Sequence, residues 1–241
     1  MSVRELSVFF PAHDEVENLE RTMTAALAFL DDMDLDASEV IVVDDGSTDG
    51  TGDVADALAL KDPRVRVVHH GSNRGYGAAL KSGFGAARLE WVFYTDSDGQ
   101  FDLGDLNRLL PFAGEFDAVI GYRQRRSDHF VRTVNQSLWT ALVHSLFRLG
   151  LRDVDCAFKL VRRASLERVG PLVSEGAVIS TELLVKLRLT GARVKQVGVN
   201  HYPRTAGRAS GGSPRVIARA FRELVRLRRE LHAWSATFPR L

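Results

Sequence analysis

The sequence predicts an α/β protein of Rossmann-like architecture, with a mostly parallel sheet and helices on both faces. Short apolar segments rich in Val, Ile and Phe alternate with segments whose apolar residues recur at helical spacing. Each of the first five apolar segments is followed by a polar stretch that is rich in Gly or Asp. The chain has 241 residues, 45% of them hydrophobic, which is enough for one large domain with a full core.

The predicted elements alternate along the chain. Predicted strands cover residues 7–10, 40–43, 65–68, 91–95, 117–120 and 194–199. Predicted helices cover about 15–31, 54–58, 78–84, 103–112, 130–149, 179–189 and 215–231. Asp14 and Glu17 predict a capping box for the first helix. We expect a main domain over residues 1–212, followed by a basic amphipathic helix and tail over 213–241.

Charge and cysteine content limit the class of protein. The formal net charge is only +1, but the first sixty residues hold fifteen acids against two arginines, so the remainder is strongly basic. A basic region of this kind favours anionic partners such as phosphorylated substrates or acidic lipid. Nucleic acid is the least expected partner because the basic residues lack interleaved aromatic side chains. A single cysteine, Cys156, and the lack of an apolar run of ~20 residues predict a cytoplasmic protein.

The most informative stretch follows the strand at 91–95. Asp96, Asp98 and Gln100 come where a parallel strand would end, and two-residue periodicity would direct their side chains to one side. Two carboxylates held close together repel each other, which favours a divalent cation between them. Oxygen ligands with room for water suit Mg²⁺ or Mn²⁺. The alternative is a polar turn that only closes the strand.

Two further strand ends predict a nucleotide site. Asp44 and Asp45 follow the second strand, where a carboxylate either accepts hydrogen bonds from a sugar or base or caps the next turn. The residues do not decide which of the two aspartates contacts a ligand. Gly75 and Gly77 lack the third glycine of a dinucleotide fingerprint, so we expect only a tight turn, with Lys81 near the nucleotide.

Arginines follow two other predicted strands. Arg123 comes after the strand at 117–120, and Arg204 and Arg208 lie in the late glycine-rich loop. A solvated basic surface is one interpretation. The other is phosphate binding, for which the planar fork of arginine is well suited. We favour phosphate binding for Arg123 and Arg204, while both interpretations stay open for Arg125, Arg126 and Arg208.

Taken in order, these motifs resemble the family 2 glycosyltransferases of the GT-A fold, and within them the polyprenyl-phosphate sugar transferases. The matching segments are 11–15 (PAHDE), 43–51 (VDDGSTDGT), 73–79 (NRGYGAA), 95–100 (TDSDGQ), 121–123 (GYR), 153–159 (DVDCAFK) and 202–204 (YPR). The resemblance covers about residues 6–212. The chain departs from the family at Ala157, where Gly is common, and at Arg208, where an acidic residue is common.

The resemblance implies transfer of a hexose from a nucleotide diphosphate sugar to a polyprenyl phosphate, with inversion at the anomeric carbon. By position it makes Asp96, Asp98 and Gln100 the metal ligands on the donor diphosphate. It also implies two further sets of residues. Those lining the nucleoside pocket would be Pro11, Glu15 and Asp45, and those binding donor or acceptor phosphates would be Arg123, Lys159 and Arg204. Of these residues, we expect Asp98, Arg123 and Arg204 to act on the reacting groups.

Two other functions stay open. A family 2 enzyme acting on a sugar hydroxyl would need a carboxylate base, for which Asp153, Asp155 and Glu182 are candidates. A non-catalytic protein that binds nucleotide sugars is the alternative from another class. For a lipid acceptor we expect peripheral contact with the inner face of the cell membrane through the helices at 130–149 and 215–231. A membrane subunit or a second copy of the chain is also a possible partner.

Overall fold

A central sheet organises the molecule. The computed structural model describes residues 3–124, 130–147, 149–204, 206–207 and 214–235. The strands within these ranges are β1 (Glu5–Ala12), β2 (Ala37–Asp44), β3 (Val65–His69), β4 (Trp91–Thr95), β5 (Ala118–Arg123), β6 (Phe158–Arg162) and β7 (Val194–Val199). The helices are α1 (Val16–Asp31), α2 (Thr51–Lys61), α3 (Tyr76–Ala86), α4 (Phe130–Phe147), α5 (Arg163–Val169), α6 (Val178–Leu189) and α7 (Pro214–Ser235).

The seven described strands form one sheet in the order β3-β2-β1-β4-β6-β5-β7. Strand β1 runs parallel to β2 and β4, β2 to β3, and β5 to β7. Strand β6 lies antiparallel between β4 and β5. It was not predicted, because Lys159 interrupts its apolar residues and its partners β4 and β5 are distant in the chain. The predicted mostly parallel α/β fold is confirmed, with β6 as the exception in direction.

Helices cover both faces of the sheet. Helices α1 and α2 pack on one face, and α3 to α7 pack on the other. The sheet is therefore buried on both sides, which accounts for the nearly continuous apolar segments of β1, β2 and β4. Helix α7 contributes Leu224, Leu227 and Leu231 to the apolar core between the sheet and α3 to α7. The division of the chain at residue 212 stays a prediction.

Two local predictions were wrong. The single helix predicted over 103–112 is divided into two 3-10 helices, Leu103–Arg108 and Leu110–Phe112, and Pro111 has no N–H with which an α-helix could continue into the second. The capping box of α1 does not form. Instead, Asp49 from the loop after β2 accepts a hydrogen bond of 3.1 Å from the backbone N–H of Val16. The loops after β1 and β2 are thereby joined at the edge of the sheet where the polar stretches lie.

A membrane-spanning element was not expected from the sequence. None of the helices in the described ranges combines the length and the apolar character needed to cross a bilayer.

Candidate active site

The loop after β4 turns sharply beyond Thr95. Gly99 adopts a φ of +71°, so residues 96–100 form a turn and do not continue the strand, as the two-residue periodicity had assumed. Ser97 anchors the turn by donating from Oγ to the carbonyl of Pro11 over 2.9 Å, and its own carbonyl accepts from Oγ1 of Thr22 over 3.1 Å. Pro11 thus supports the turn through its backbone.

The turn brings the Asp96 and Asp98 carboxylates near each other. Burial and the neighbouring charge of Asp98 raise the pKa of Asp96 to about 7. One oxygen of Asp96 accepts a hydrogen bond of 3.2 Å from the hydroxyl of Tyr76. Asp98 accepts a hydrogen bond of 3.0 Å from the backbone N–H of Gln100. A divalent cation would relieve this repulsion between the two carboxylates, so the residues present fit such an ion.

A divalent cation at Asp96 and Asp98 would take its other oxygen ligands from groups that are not acidic side chains. In the described part of the chain, no group of three or more His, Cys, Asp and Glu side chains is arranged to hold a metal. Gln100 donates from Nε2 to the carbonyl of Tyr202 over 2.9 Å, which leaves its side-chain oxygen as a possible ligand. Two carboxylates and one amide leave room for water and phosphate oxygens, as Mg²⁺ requires.

Arg204 closes this site from the loop after β7. Its Nη2 contacts a carboxylate oxygen of Glu15 and lies 3.3 Å from Oδ2 of Asp98. Burial opposes its charge, but the hydrogen bond to Glu15 and the attraction of Asp98 raise the pKa of Arg204 above its usual value. A bridge between Phe101 and His201 aligns the two loops. Glu15 and Arg204, which are far apart in sequence, are thereby brought to the same site.

Arg123 forms a two-pronged ion pair with Asp153. Its Nε and Nη2 donate to the two carboxylate oxygens over 2.7 and 2.8 Å; Asp153 is buried, and only 10% of the Arg123 side chain is exposed. Burial opposes the charge of Arg123, but these hydrogen bonds raise its pKa. Nearby, burial and the charge of Asp153 raise the pKa of Asp155 to about 6. Arg123 therefore has a carboxylate partner already and is not a free surface cation.

Lys159 is fully buried in β6 beside Tyr94 of β4. Its ammonium donates to the carbonyl of Cys156. Although burial opposes its charge, the neighbouring Tyr94 and Cys156 side chains raise the pKa of Lys159. Burial also raises the pKa of the Cys156 thiol to about 12, which makes it an unreactive packed side chain.

The two aspartates after β2 have protein partners. Asp45 accepts from the backbone N–H groups of Arg74 and Gly75 over 3.0 and 2.8 Å, and Nδ1 of His70 lies 2.5 Å from it. Asp44 accepts from a backbone N–H in the next turn over 3.0 Å and lies 3.0 Å from His69. Both side chains hold neighbouring loops in place, so a nucleoside would have to share or replace these partners.

Lys81 and Arg208 complete the set of residues considered from the sequence. Lys81 is half-buried on α3 and, within the described residues, forms no hydrogen bond or ion pair. It remains available to an anionic ligand. The predictions for Arg208, Arg125 and Arg126 fall outside the described residues.

The sequence interpretation missed several residues of this site. Tyr76 reaches Asp96, and Asn18 donates to Glu15 over 2.8 Å. His70 connects Asp45 to Ser82, whose Oγ lies 2.9 Å from Nε2. Tyr76 stands between the two glycines of the 73–79 motif, a position that could have marked it. Asn18 and His70 carry no comparable signal, because helical and strand periodicity treat them as ordinary polar residues.

Comparison with known proteins places the chain in a family. The family model described as glycosyl transferase family 2 matches residues 7–170. The chain belongs to glycosyl transferase family 2. An undecaprenyl-phosphate mannosyltransferase of Micrococcus luteus is 31% identical over 214 residues, covering 84% of this chain and 86% of the relative. The glycosyltransferase AglD of Haloferax volcanii is 35% identical over 208 residues, covering 83% of this chain but only 33% of its own length.

The fold of this family 2 member also matches solved structures. Glucosyl-3-phosphoglycerate synthase of Mycobacterium tuberculosis, in complex with Mg²⁺ and uridine diphosphate, superposes with a TM-score of 0.67 at 19% identity. The match covers 93% of this chain and 79% of that protein. The predicted GT-A fold and the predicted resemblance to family 2 are confirmed. The roles assigned to individual site residues stay predictions.

Proposed function

We propose that this family 2 member is a metal-dependent inverting glycosyltransferase that moves a hexose from a nucleoside diphosphate sugar to a polyprenyl phosphate. The observation that carries this proposal is the meeting of Asp96, Asp98 and Arg204 at the carboxyl edge of the sheet. The name of the Micrococcus luteus relative, an undecaprenyl-phosphate mannosyltransferase, supports this acceptor class. The Mg²⁺ and uridine diphosphate bound by the structural relative support the donor class.

The donor would bind with its diphosphate at the acidic pair. Asp96, Asp98 and Gln100 would hold a Mg²⁺ or Mn²⁺ ion, which would supply positive charge for the leaving diphosphate. Arg204 adds a second, fixed cation beside Asp98. Because its guanidinium is charged and held by Glu15 before substrate arrives, little reorganisation is needed when negative charge develops.

The nucleoside would occupy the adjoining loops. Glu15, Asp44 and Asp45 hold the loops after β1, β2 and β3 together, and Pro11 carries the carbonyl that anchors the turn after β4. A base or ribose at this edge would meet backbone groups and carboxylates that accept its hydrogen bonds. Lys81, with no ion-pair partner among the described residues, would lie near the donor phosphates.

The acceptor requires cations more than it requires a base. A phosphate monoester with a second pKa near ~6 is already an anionic nucleophile at neutral pH. Arg123 and Lys159 stay protonated despite their burial, and Asp153 already pairs with Arg123. We assign to them, and to Arg208, which lies outside the described residues, the electrostatic attraction of the acceptor phosphate.

Transfer to a sugar hydroxyl is the second candidate function. It needs a carboxylate base, and two of the three sequence candidates are engaged elsewhere: Asp153 pairs with Arg123, and Glu182 is fully buried against backbone N–H groups. Asp155 differs. One of its oxygens is buried and has no hydrogen-bond partner among the described residues. With a pKa of about 6, Asp155 would be ionised at neutral pH and could accept a proton.

A binding and turnover experiment tests the function. Thermal shift with a panel of nucleotide sugars, with and without Mn²⁺, identifies the donor because specific binding stabilises the folded state. Release of nucleoside diphosphate is then measured with a short polyprenyl phosphate and with sugar acceptors. We expect metal-dependent release with the polyprenyl phosphate, lost in Asp98→Asn and kept in Asp53→Asn, an exposed aspartate on α2.

Each other outcome selects a different function. Turnover only with sugar acceptors, and its loss in Asp155→Asn, would support the hydroxyl-transfer enzyme. Donor binding without release for any acceptor would support the non-catalytic binding protein. Donor binding and turnover that are the same with and without a divalent metal would contradict the metal-binding role of Asp96 and Asp98.

A lipid acceptor requires contact with a membrane, and α7 offers a surface for it. Phe221 and Val225 are 47% and 56% exposed, next to a groove of about 650 Å³ between α4, α6 and α7. Arg222, Arg228 and Arg229 are exposed beside them and form no ion pair within the described residues. Apolar side chains bordered by unpaired cations match an acidic bilayer surface. We assign this surface to contact with the inner face of the cell membrane.

Vesicle flotation tests this contact. The double variant Phe221→Ser/Val225→Ser should lose binding to vesicles containing acidic phospholipid, because apolar area is removed without change of charge. Leu60→Ser, which alters a side chain 90% exposed on α2, is the matched control. Equal flotation of both variants would reject the α7 surface. A change of oligomeric state in the double variant, with flotation unaffected, would instead favour contact with a second copy.

A further inference from the structure

The N-terminal end of α3 is held against an irregular segment, residues 171–176. The backbone N–H of Gly77 donates to the carbonyl of Glu175 over 2.8 Å. The approach is close enough that a Cβ on Gly77 would lie 2.5 Å from the Glu175 carbonyl carbon. The preceding residue, Tyr76, donates its hydroxyl to Asp96 over 3.2 Å. The position of the Glu175 backbone therefore determines where Tyr76 meets Asp96.

A buried carboxylate holds that segment in turn. Glu182 of α6 is fully buried and accepts hydrogen bonds from the backbone N–H groups of Val173 and Ser174 over 2.9 and 2.8 Å. Its charge is balanced by Lys186, one turn along α6, at 2.8 Å. Lys186 also donates to the carbonyl of Pro171 over 2.6 Å. The backbone of Pro171, Val173 and Ser174 is thus bound to the neighbouring side chains of Glu182 and Lys186 on α6.

We infer that Glu182 is a positioning residue for the acidic pair: it fixes residues 173–175, which seat the end of α3 and so place the Tyr76 hydroxyl on Asp96. This inference rests on the proposed function, and it gives Glu182 a role without contact to any substrate. A carboxylate that accepts two backbone N–H groups and an ammonium is rigid, and groups that orient ligands in this way control metal affinity.

Two matched pairs of variants test the inference. Gly77→Ala forces the segment away from α3, whereas Gly85→Ala places the same methyl group on the same helix in open space. Glu182→Gln removes a buried charge, whereas Glu167→Gln removes a charge from an exposed ion pair on α5. Binding of Mn²⁺ with nucleoside diphosphate is followed by electron paramagnetic resonance, and hydrogen exchange of the Gly77 amide is followed in the metal-free protein.

We expect Gly77→Ala and Glu182→Gln to weaken Mn²⁺ binding roughly tenfold, the scale seen for groups that orient metal ligands. The Gly77 amide should exchange faster in Glu182→Gln, because its acceptor carbonyl has moved. Gly85→Ala and Glu167→Gln should match the unaltered protein in both measurements. Tyr76→Phe, which removes only the hydroxyl, should weaken Mn²⁺ binding without faster exchange.

The inference is overturned if folded Gly77→Ala and Glu182→Gln bind Mn²⁺ as tightly as the unaltered protein, or if Tyr76→Phe has no effect. Should Glu182→Gln fail to fold, Gly77→Ala and Tyr76→Phe decide by the same criteria. Absence of Mn²⁺ binding in the unaltered protein would contradict the proposed function and also the positioning of a metal ligand. Unchanged exchange at Gly77 in folded Glu182→Gln would overturn the link from Glu182 to α3 alone.

Discussion

Arg204 lies 3.3 Å from Asp98, measured from Nη2 to Oδ2, although 106 positions separate the two residues in the chain. The contact joins the loop after β7 to the turn after β4 and sets a fixed cation beside a carboxylate assigned to metal binding. Glu15 holds the other side of the same guanidinium. The Arg204 guanidinium is therefore fixed in place before a diphosphate binds. Such preorganised positive charge is what electrostatic stabilisation of a transition state requires.

Replacing Arg204 by lysine should lower kcat by about 10²-fold. A single ammonium cannot bridge Glu15 and Asp98 while also meeting a phosphate oxygen, and loss of one such donor typically costs this much. The rate of nucleoside diphosphate release at saturating donor measures the effect. Arg193→Lys is the control, because the guanidinium of Arg193 is exposed and comes no closer than 3.9 Å to its partner Asp117. Equal kcat in the two variants would remove Arg204 from the reaction.

Metal affinity should depend on pH through Asp96. Its pKa is raised to about 7, and a metal binds the ionised carboxylate, so a proton must be displaced at lower pH. Apparent Mn²⁺ affinity should fall by up to about tenfold per pH unit below pH ~7 and level off above it. Calorimetric titration between pH ~5.5 and ~8 measures this slope. Asp96→Asn should bind more weakly and without the slope; a flat profile in the unaltered protein contradicts the assignment.

The Arg123–Asp153 pair should behave as a buried ion pair in stability measurements. Arg123→Met or Asp153→Leu alone should reduce the free energy of unfolding by about 3–5 kcal/mol, because each leaves an uncompensated buried charge. The double variant should lose far less than the sum. Urea unfolding of the four proteins gives the coupling energy. The exposed Arg163–Glu167 pair, treated in the same way, should couple by less than about 1 kcal/mol.

Two glycines on α3 should respond in opposite directions to alanine. At Gly83 a Cβ would lie 2.3 Å from the ring of Phe9, so Gly83→Ala should destabilise the protein by about 1–3 kcal/mol through overpacking. At Gly85 no atom lies within 4 Å of the added Cβ, so Gly85→Ala should stabilise by up to about 1 kcal/mol. Thermal unfolding measures both. Equal destabilisation would mean that α3 does not pack on β1 as described.

Sequence periodicity predicted most of the sheet because local patterns reflect burial on one or both faces. Strands β1 to β5 and β7 and the long helices lie where apolar spacing places them. Strand β6 escaped prediction because its identity depends on pairing with β4 and β5, whose residues are distant in the chain. For the same reason Asp49, and not Asp14, satisfies the first N–H of α1.

The sequence by itself determined the fold class, the family and the edge of the sheet where Asp96, Asp98 and Arg204 lie, because the succession of predicted strands and motifs along the chain can be read directly from the residues. Only the tertiary structure decided which groups those residues touch. Arg204 meets Glu15 and Asp98, and Arg123 meets Asp153, through contacts between loops far apart in sequence. Such contacts depend on which strands are neighbours in the sheet, and local patterns of residues do not specify which distant loops come together.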